Sequence, residues 1–214
     1  MANSLNKELV IRLSKYKRVL QKLKTLGFAK VFSNNLGDAI GVTPALVRKD
    51  LSVIKLPGNK RGGYNIDDII EHLNNLLGKN ELQDVIIAGC GKIGTALIQY
   101  KEFAKDGIRI IAGFDIDPEG TQPGISIPIY DISEINTYVK NNNIKVAIIA
   151  VPDAAAMSLR DQMIEAGIQG ILNFAPVELK SCESCVVSNV NLGLEIENLF
   201  YLVRMHNSDL HIDS

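Results

Sequence analysis

Val85-Ile86-Ile87-Ala88-Gly89-Cys90-Gly91-Lys92-Ile93-Gly94 decides how the larger part of this chain folds. The apolar run Val85–Ala88 reads as a buried parallel strand. It breaks into Gly-x-Gly-x-x-Gly and continues as a helix-like run, Thr95–Phe103; a second apolar run, Ile108–Phe114, then ends at Asp115. A strand before the glycines and a helix after them is the context in which this triplet is a dinucleotide-binding fingerprint. Gly89 makes the tight turn, Gly91 lets the backbone approach a pyrophosphate, and Gly94 lets helix pack on strand. The N–H groups of the helix start then face the anion. Asp115 lies 21 residues after Gly94, placed to accept from a ribose 2′-OH and to repel an added 2′-phosphate. The expected cofactor is therefore NADH/NAD+ and not its phosphorylated form. Cys90, Lys92 and Ile93 belong to the same loop. Lys92 either approaches the pyrophosphate or stands as an ordinary exposed lysine.

With 214 residues, 46% of them apolar and 22% charged, the chain has room for one large or two small domains with ample core. It contains no apolar run of membrane-spanning length and no secretory signal core, so the expectation is a cytoplasmic protein without a membrane partner. Three cysteines do not make a disulfide framework. The net charge of −1 conceals an asymmetry: residues 1–80 hold 14 Lys+Arg against 6 Asp+Glu, a net of +8, and residues 81–214 hold 9 against 18, a net of −9. Such a split points to two domains, one of which meets a polyanion, although a solvated basic face gives the same count.

Residues 6–26 predict one long helix, with Leu9, Leu13, Tyr16, Leu20 and Leu23 on an apolar stripe and Gly27 closing it. Ser33 is expected to cap a short helix, Asn34–Ile40, ended by Gly41. Thr43-Pro44 opens a third, with Ala45, Leu46, Leu51 and Ile54 toward the core and Arg48, Lys49 and Ser52 outward. Two short helices around a glycine turn, the second basic, form the helix-turn-helix pattern. Leu56–Ile66 then reads as a hairpin with a basic tip, a wing, whose Lys60 and Arg61 would reach phosphates or a minor groove.

Asp67–Gly78 is a connecting helix, and a second domain begins near Leu82. Its expected strands are Asp84–Ala88, Ile108–Phe114, Ile125–Tyr130, Ile144–Val151, Ile168–Phe174 and Cys185–Asn191. Helices at Thr95–Lys105, Ser133–Asn141 and Ala154–Ala166 alternate with them, which predicts a doubly wound sheet. Glu195–Met205 is a closing helix with Ile196, Leu199, Phe200 and Val203 on one face. The fold class is thus α/β, an N-terminal winged-helix domain (1–80) followed by a Rossmann domain (82–192) and a C-terminal helix and tail (193–214).

Several strings carry a family resemblance. Val47-Arg48-Lys49-Asp50-Leu51-Ser52, Arg61-Gly62-Gly63-Tyr64, the glycine fingerprint, Phe114-Asp115-Ile116-Asp117-Pro118 and Gly170-Ile171-Leu172-Asn173-Phe174-Ala175-Pro176 occur in that order. Over nearly its whole length the chain resembles the Rex family of redox-sensing transcriptional repressors. The resemblance implies a homodimer that binds palindromic operators on double-stranded DNA when NADH is scarce and releases them when NADH rises. It also implies a C-terminal helix swapped into the partner subunit, and a switching network in which Arg18 and Tyr100 join an aspartate. That aspartate's place is held here by Asn191, which accepts a hydrogen bond but carries no charge.

Arg48 is a candidate for bidentate contact with a guanine edge and Lys49 for a phosphate, against the plainer reading of a solvated helix face. Val151-Pro152 and Asn173-Phe174 end two strands on the side where open α/β sheets bind ligands, and are expected to form an apolar wall near the nicotinamide. Desolvating the cationic ring of NAD+ against such a wall is costly, which would favour NADH. Cys182-Glu183-Ser184-Cys185 is a C-x-x-C, a redox pair or half a metal site in form; no second such motif and no ligand-spaced histidine accompanies it, so a pair of ordinary loop thiols is the plainer reading. No catalytic residue and no metal site is expected. The rival is a small NAD-dependent oxidoreductase, but residues 83–191 only suffice for the nucleotide fold and supply no convincing acid or base. A third reading keeps the fold and changes the nucleotide to one such as CoA.

Overall fold

The computed structural model describes residues 6–56, 62–78, 82–120 and 125–210. The chain forms two compact units, 1–81 and 82–214.

In the first unit, helix α1 (Lys7–Thr25) starts where the Asn6 side chain accepts the Leu9 amide at 2.8 Å. Its stripe of Leu9, Leu13, Tyr16 and Leu20 is buried, as the 4-3 spacing predicts. Strand β1 (Lys30–Val31), helix α2 (Ser33–Ile40), helix α3 (Pro44–Val53), strand β2 (Tyr64–Asn65) and helix α4 (Ile66–Leu76) follow. Leu36, Val47, Leu51, Ile66, Ile69 and Leu73 close the core against α1, each fully buried aliphatic contributing roughly 1.5–3 kcal/mol.

Three expectations change here. Helix α2 begins one residue early: Phe32 holds the cap position and its N–H donates to the Asn35 side chain at 3.2 Å, while Ser33 lies inside the first turn. The buried face of α3 is Val47, Asp50, Leu51 and Ile54; Ala45 is exposed and Leu46 half-buried. Thr43 caps the helix as expected, its hydroxyl accepting the Leu46 amide at 3.2 Å, and the helix is rotated so that this set faces inward. Finally, β2 pairs antiparallel with β1, Val31 opposite Tyr64, so its partner strand precedes the two short helices. The expected wing tip with Lys60 and Arg61 lies outside the described residues.

The buried acid on α3 explains its rotation further. Asp50 is 3% exposed and accepts from Arg12 Nε at 2.7 Å, Arg12 Nη2 at 2.9 Å and the Tyr16 hydroxyl at 3.0 Å. A bidentate guanidinium–carboxylate pair fixes direction as well as distance, so this network orients α3 on α1.

The second unit is a six-stranded, wholly parallel sheet, ordered β5-β4-β3-β6-β7-β8. The strands are β3 (Gln83–Ala88), β4 (Ile108–Asp115), β5 (Ile129–Asp131), β6 (Val146–Ile149), β7 (Gly170–Asn173) and β8 (Val186–Asn189). Counted within this unit the order is 3-2-1-4-5-6, the doubly wound arrangement, with its switch point between β3 and β6. Alternate side chains serve opposite faces. Ile86 and Ala88 of β3 pack with helices α7 (Ile135–Asn142) and α8 (Asp153–Ala166). Val85 and Ile87 face the side covered by α5 (Lys92–Ile98) and α6 (Glu102–Lys105), where Leu97, Ile98 and Phe103 pack.

Strands β6, β7 and β8 begin later than the expected runs because neighbouring turns take the first amides. The N–H of Ile144 donates to Val139 O, that of Ile168 to Met163 O and that of Cys185 to Cys182 O. In the edge stretch only Ile129–Asp131 pairs, since Pro128 has no N–H to offer a ladder. The single helix expected over Thr95–Lys105 is two, interrupted at Gln99–Lys101, where Tyr100 and Phe103 meet edge to face at 5.1 Å. Helix α9 (Leu192–Leu210) closes the chain with Ile196, Leu199, Phe200 and Val203 all exposed.

Asp50→Ala strands the Arg12 charge and the Tyr16 hydroxyl, and is expected to cost the N-terminal unit about 3 kcal/mol in chemical denaturation. Burial, then the bond to Asp50, raises the Tyr16 phenol above its ordinary value of 10.0. A raised folded-state value means that stability is intact below pH 10.0 and falls as pH climbs toward the folded value. Tyr16→Phe should flatten that alkaline decline.

Candidate functional site

The glycine loop leaves β3 at the switch point, and each glycine meets a different constraint. Gly89 has φ +91°, and a Cβ there would lie 2.4 Å from Ala150 O. A Cβ on Gly94 would lie 1.9 Å from Gly89 O, so α5 rests directly on the turn. Gly91, at the cap of α5, has nothing within 4 Å of its Cβ position. Its open side faces outward, next to first-turn amides that have no acceptor within their own helix.

Asp115 closes the loop from the neighbouring strand. One carboxylate oxygen accepts the Cys90 amide at 2.6 Å and the other the Asp117 amide at 3.1 Å. Two backbone donors hold the carboxylate in a single orientation while leaving lone pairs for a ligand hydroxyl. Cys90 points the other way. It is buried, its Sγ donates to Phe114 O at 3.8 Å, and burial followed by the Asp115 charge pushes its thiol up to about 11. Thr95 braces the turn, its hydroxyl donating to Cys90 O at 2.9 Å. Lys92 and Ile93 are exposed on the first turn of α5.

A cavity of about 630 Å³ opens between the ends of β3, β4 and β6. Gly89, Gly91, Asp115, Val151 and Pro152 line it, and sequence reading had singled out all five. It also takes in Phe114, Ile116, Ile132, Ala150, Ala154, Ala155, Ser158, Leu159 and Gln162. Positions 155, 158, 159 and 162 recur at helical spacing on α8. The run Ala154-Ala155-Ala156 at the start of that helix is the sequence signal for a narrow, ligand-approachable turn. Asp115 is the sole carboxylate among the lining residues, which include no His, Lys or Cys.

Asn173 and Phe174 do not line this cavity. Asn173 is fully buried: its amide nitrogen donates to Val177 O at 2.7 Å and to Asn189 Oδ1 at 2.9 Å, and its oxygen accepts the Ala175 amide at 3.0 Å. This pins the loop after β7 to β8. Phe174 packs half-buried on the opposite face of the sheet with Ala150 and Leu172.

On the N-terminal unit, Arg48, Lys49 and Ser52 share the exposed face of α3. Arg48 is held by a bond from Nη1 to the Ser33 hydroxyl at 3.1 Å, so Ser33, expected as a cap, positions a guanidinium instead. Arg18 is exposed on α1 and Tyr100 is exposed after α5. Asn191 accepts the Leu194 amide at 3.1 Å and so caps α9. Asp50, Arg12 and Tyr16, which set the pose of α3, are the functional residues that sequence reading missed. The signal was a lone acid beside two bases on a helix, with Arg12 and Tyr16 at i,i+4 spacing on another.

Comparison with known proteins extends this. A family model described as "Putative DNA-binding protein N-terminus" matches residues 7–52, and one described as "CoA binding domain" matches residues 80–177. The redox-sensing transcriptional repressor Rex of Streptococcus uberis is 36% identical over 203 residues, covering 94% of this chain and 95% of that protein. The Rex repressor of Streptococcus equi subsp. equi is 35% identical over 209 residues, covering 96% and 98%. Among solved structures, RSP, a Rex-family repressor, in complex with beta-NAD+ and operator DNA matches with a TM-score of 0.87 at 27% identity, covering 98% of this chain and 97% of that one. RSP in complex with beta-NADH matches with a TM-score of 0.81 at 28% identity, covering 98% of each.

Gly91→Ala and Gly94→Ala should separate ligand contact from packing. Gly91→Ala is expected to melt as the parent does while NADH affinity, followed by fluorescence titration, falls at least about tenfold. Gly94→Ala drives a Cβ into backbone and should lower the melting temperature of the C-terminal unit itself.

Proposed function

The chain is a member of the Rex family of redox-sensing transcriptional repressors, and from that premise we propose that it grips palindromic operator DNA as a homodimer when NADH is scarce and lets go when NADH accumulates. The observation that carries this reading is the pairing, in one chain, of a basic helix-turn-helix oriented by a buried ion pair with a glycine loop closed by Asp115.

The cofactor half follows from the lining. Asp115 would accept the adenosine ribose hydroxyls, and the apolar walls from Ile116, Ile132, Val151, Pro152 and Leu159 suit an adenine ring beside it. The Gly91 amide and the first turn of α5 would meet the pyrophosphate. Val151 and Pro152 thus serve the adenosine end, and the nicotinamide is left to the region beyond Gly89, toward the carboxyl end of β7 and Phe174. A phosphate on the adenosine ribose, as in NADPH or CoA, would face the Asp115 carboxylate. Preference for NADH over NAD+ would come from the cost of stripping water from a cationic ring against apolar surroundings.

The DNA half rests on α3. Arg48 is proposed to read a base edge, with Lys49, Ser52, Lys60 and Arg61 on the backbone. Two such helices must sit one helical turn of DNA apart, and the exposed apolar residues of α9 are proposed to bind the partner subunit that this requires. Arg18, Tyr100 and Asn191 are proposed as the switch, with Asn191 acting through the start of α9. An oxidoreductase role is not proposed, because the cavity holds one carboxylate and no other acid or base. No helix among the described residues is long and apolar enough to cross a membrane, and a cytoplasmic repressor is the consistent setting.

An operator-shift titration with NADH, NAD+ and NADPH in parallel tests the whole reading. NADH should release the DNA at the lowest concentration. By linkage, operator must weaken NADH binding by the same factor, and an NADH affinity indifferent to operator would overturn the proposal. In the same assay Arg48→Ala is expected to cost about 1–3 kcal/mol and relax specificity at one base pair, while Lys49→Ala lowers the salt slope by about one.

A further inference from the structure

The C-x-x-C turn takes no part in either half of that function, yet its geometry is that of a dithiol. Cys182 N donates to Cys185 O at 2.9 Å and Cys185 N donates back to Cys182 O at 3.4 Å. Residues that exchange both bonds form a hydrogen-bonded antiparallel pair, with Cα atoms about 5.5 Å apart and side chains on the same face. A disulfide needs a Cα separation of roughly 4.4–6.8 Å, a range into which a pair of this kind falls.

The two thiols differ in accessibility. Cys182 is exposed and Cys185 is buried. The Ser184 hydroxyl lies 3.4 Å from Cys182 Sγ. Arg160 of α8 is fixed beside the turn by donating from Nη1 to Lys180 O at 3.1 Å. The Ser184 hydroxyl and amide, the Cys185 amide and the Arg160 charge together hold the Cys182 thiol below its ordinary value; burial, then the neighbouring Cys182, holds Cys185 above. One sulfur is therefore reachable and nucleophilic, the other sheltered behind it, which is the asymmetry of a reactive dithiol. No cluster of three or more metal-ligating side chains occurs among the described residues, so the motif does not extend to a metal site.

We propose that Cys182 and Cys185 are a peroxide-reactive pair that closes an intramolecular disulfide, giving the protein an oxidant-sensitive site separate from the nucleotide cavity. In the first step the Cys182 thiolate attacks one oxygen of hydrogen peroxide and the O–O bond breaks. The sulfur is oxidised to sulfenic acid, and the other oxygen leaves as hydroxide and is protonated to water. In the second step the Cys185 sulfur attacks the sulfenic sulfur and the S–O bond breaks; the departing hydroxide takes the Cys185 proton and leaves as water. Two thiols and one peroxide become one disulfide and two waters.

The test is dilute hydrogen peroxide on the full-length protein, followed by thiol titration under denaturing conditions and peptide mapping. The free thiols of the chain should fall from three to one, with the peptide spanning Cys182 and Cys185 losing two hydrogens and Cys90 remaining reduced. Cys185→Ser should instead accumulate a Cys182 sulfenic acid that dimedone traps, and Cys182→Ser should protect both remaining thiols. Mapping of the unsubstituted protein gives the answer even where the Cys185 variant is unstable. Oxidation of Cys90 as fast as Cys182, over-oxidation of Cys182 without a bond to Cys185, or disulfides only between chains would each overturn the proposal.

Discussion

The carbonyl oxygen of Gly89 occupies the space that a side chain on residue 94 would need. Because Gly94 has no side chain to compete for that space, α5 can seat its first turn against the end of β3, and the amides of that turn emerge at the switch point of the sheet. The Asp115 bond to the Cys90 amide then locks the loop from the adjacent strand, and Thr95 locks it from the helix. The cavity beside Asp115 exists because three backbone segments approach more closely there than side chains would permit. The rest of the C-terminal unit, apolar on both faces of a parallel sheet, holds these segments in register.

The N-terminal unit solves a different problem by different means. Helix α3 exposes Arg48, Lys49 and Ser52 on one face while its other face joins a core. The Arg12–Asp50 pair does this with directional bonds, since a guanidinium fork donates to a carboxylate in only a few orientations. Removing two charges from water is expensive, so the pair is better understood as setting the angle of α3 than as a source of stability. Ser33 continues the theme by holding Arg48 from a neighbouring helix. The basic face of α3 is thereby held in place by bonds within the unit, which lowers the ordering cost of any contact it makes.

Asn173 shows how a position at the ligand end of a strand can spend its amide on the fold's own hydrogen bonds. It sits at the carboxyl end of β7, where a sheet of this kind binds its ligand, yet its amide bonds Ala175 and Val177 in the loop after β7 and Asn189 at the end of β8. A cofactor wall was the natural reading of the string Asn-Phe-Ala-Pro, because strand position says which end of the sheet a residue occupies and nothing about which way its side chain turns. Asn191 illustrates the converse. Its lack of charge departs from the family pattern, but its oxygen caps α9 as an aspartate would.

Sequence alone determined the parts of this protein that depend on local rules. Glycine spacing, an acid at the end of the second strand, a Thr-Pro helix start and alternating apolar runs dictated the two domains, the order of their elements and the glycine turn between β3 and α5. Most are constraints within a few residues, where sterics and hydrogen bonding leave little choice, and the acid is placed by a fixed spacing within one strand–helix–strand unit. Tertiary structure decided what depends on partners distant in the chain: the inward face of α3, set by an arginine 38 positions away; the pairing of β2 with β1; the α8 side chains in the cavity; and the direction of Asn173. Burial of a charge against a distant counter-charge leaves no periodic trace, because either residue by itself reads as an ordinary exposed side chain.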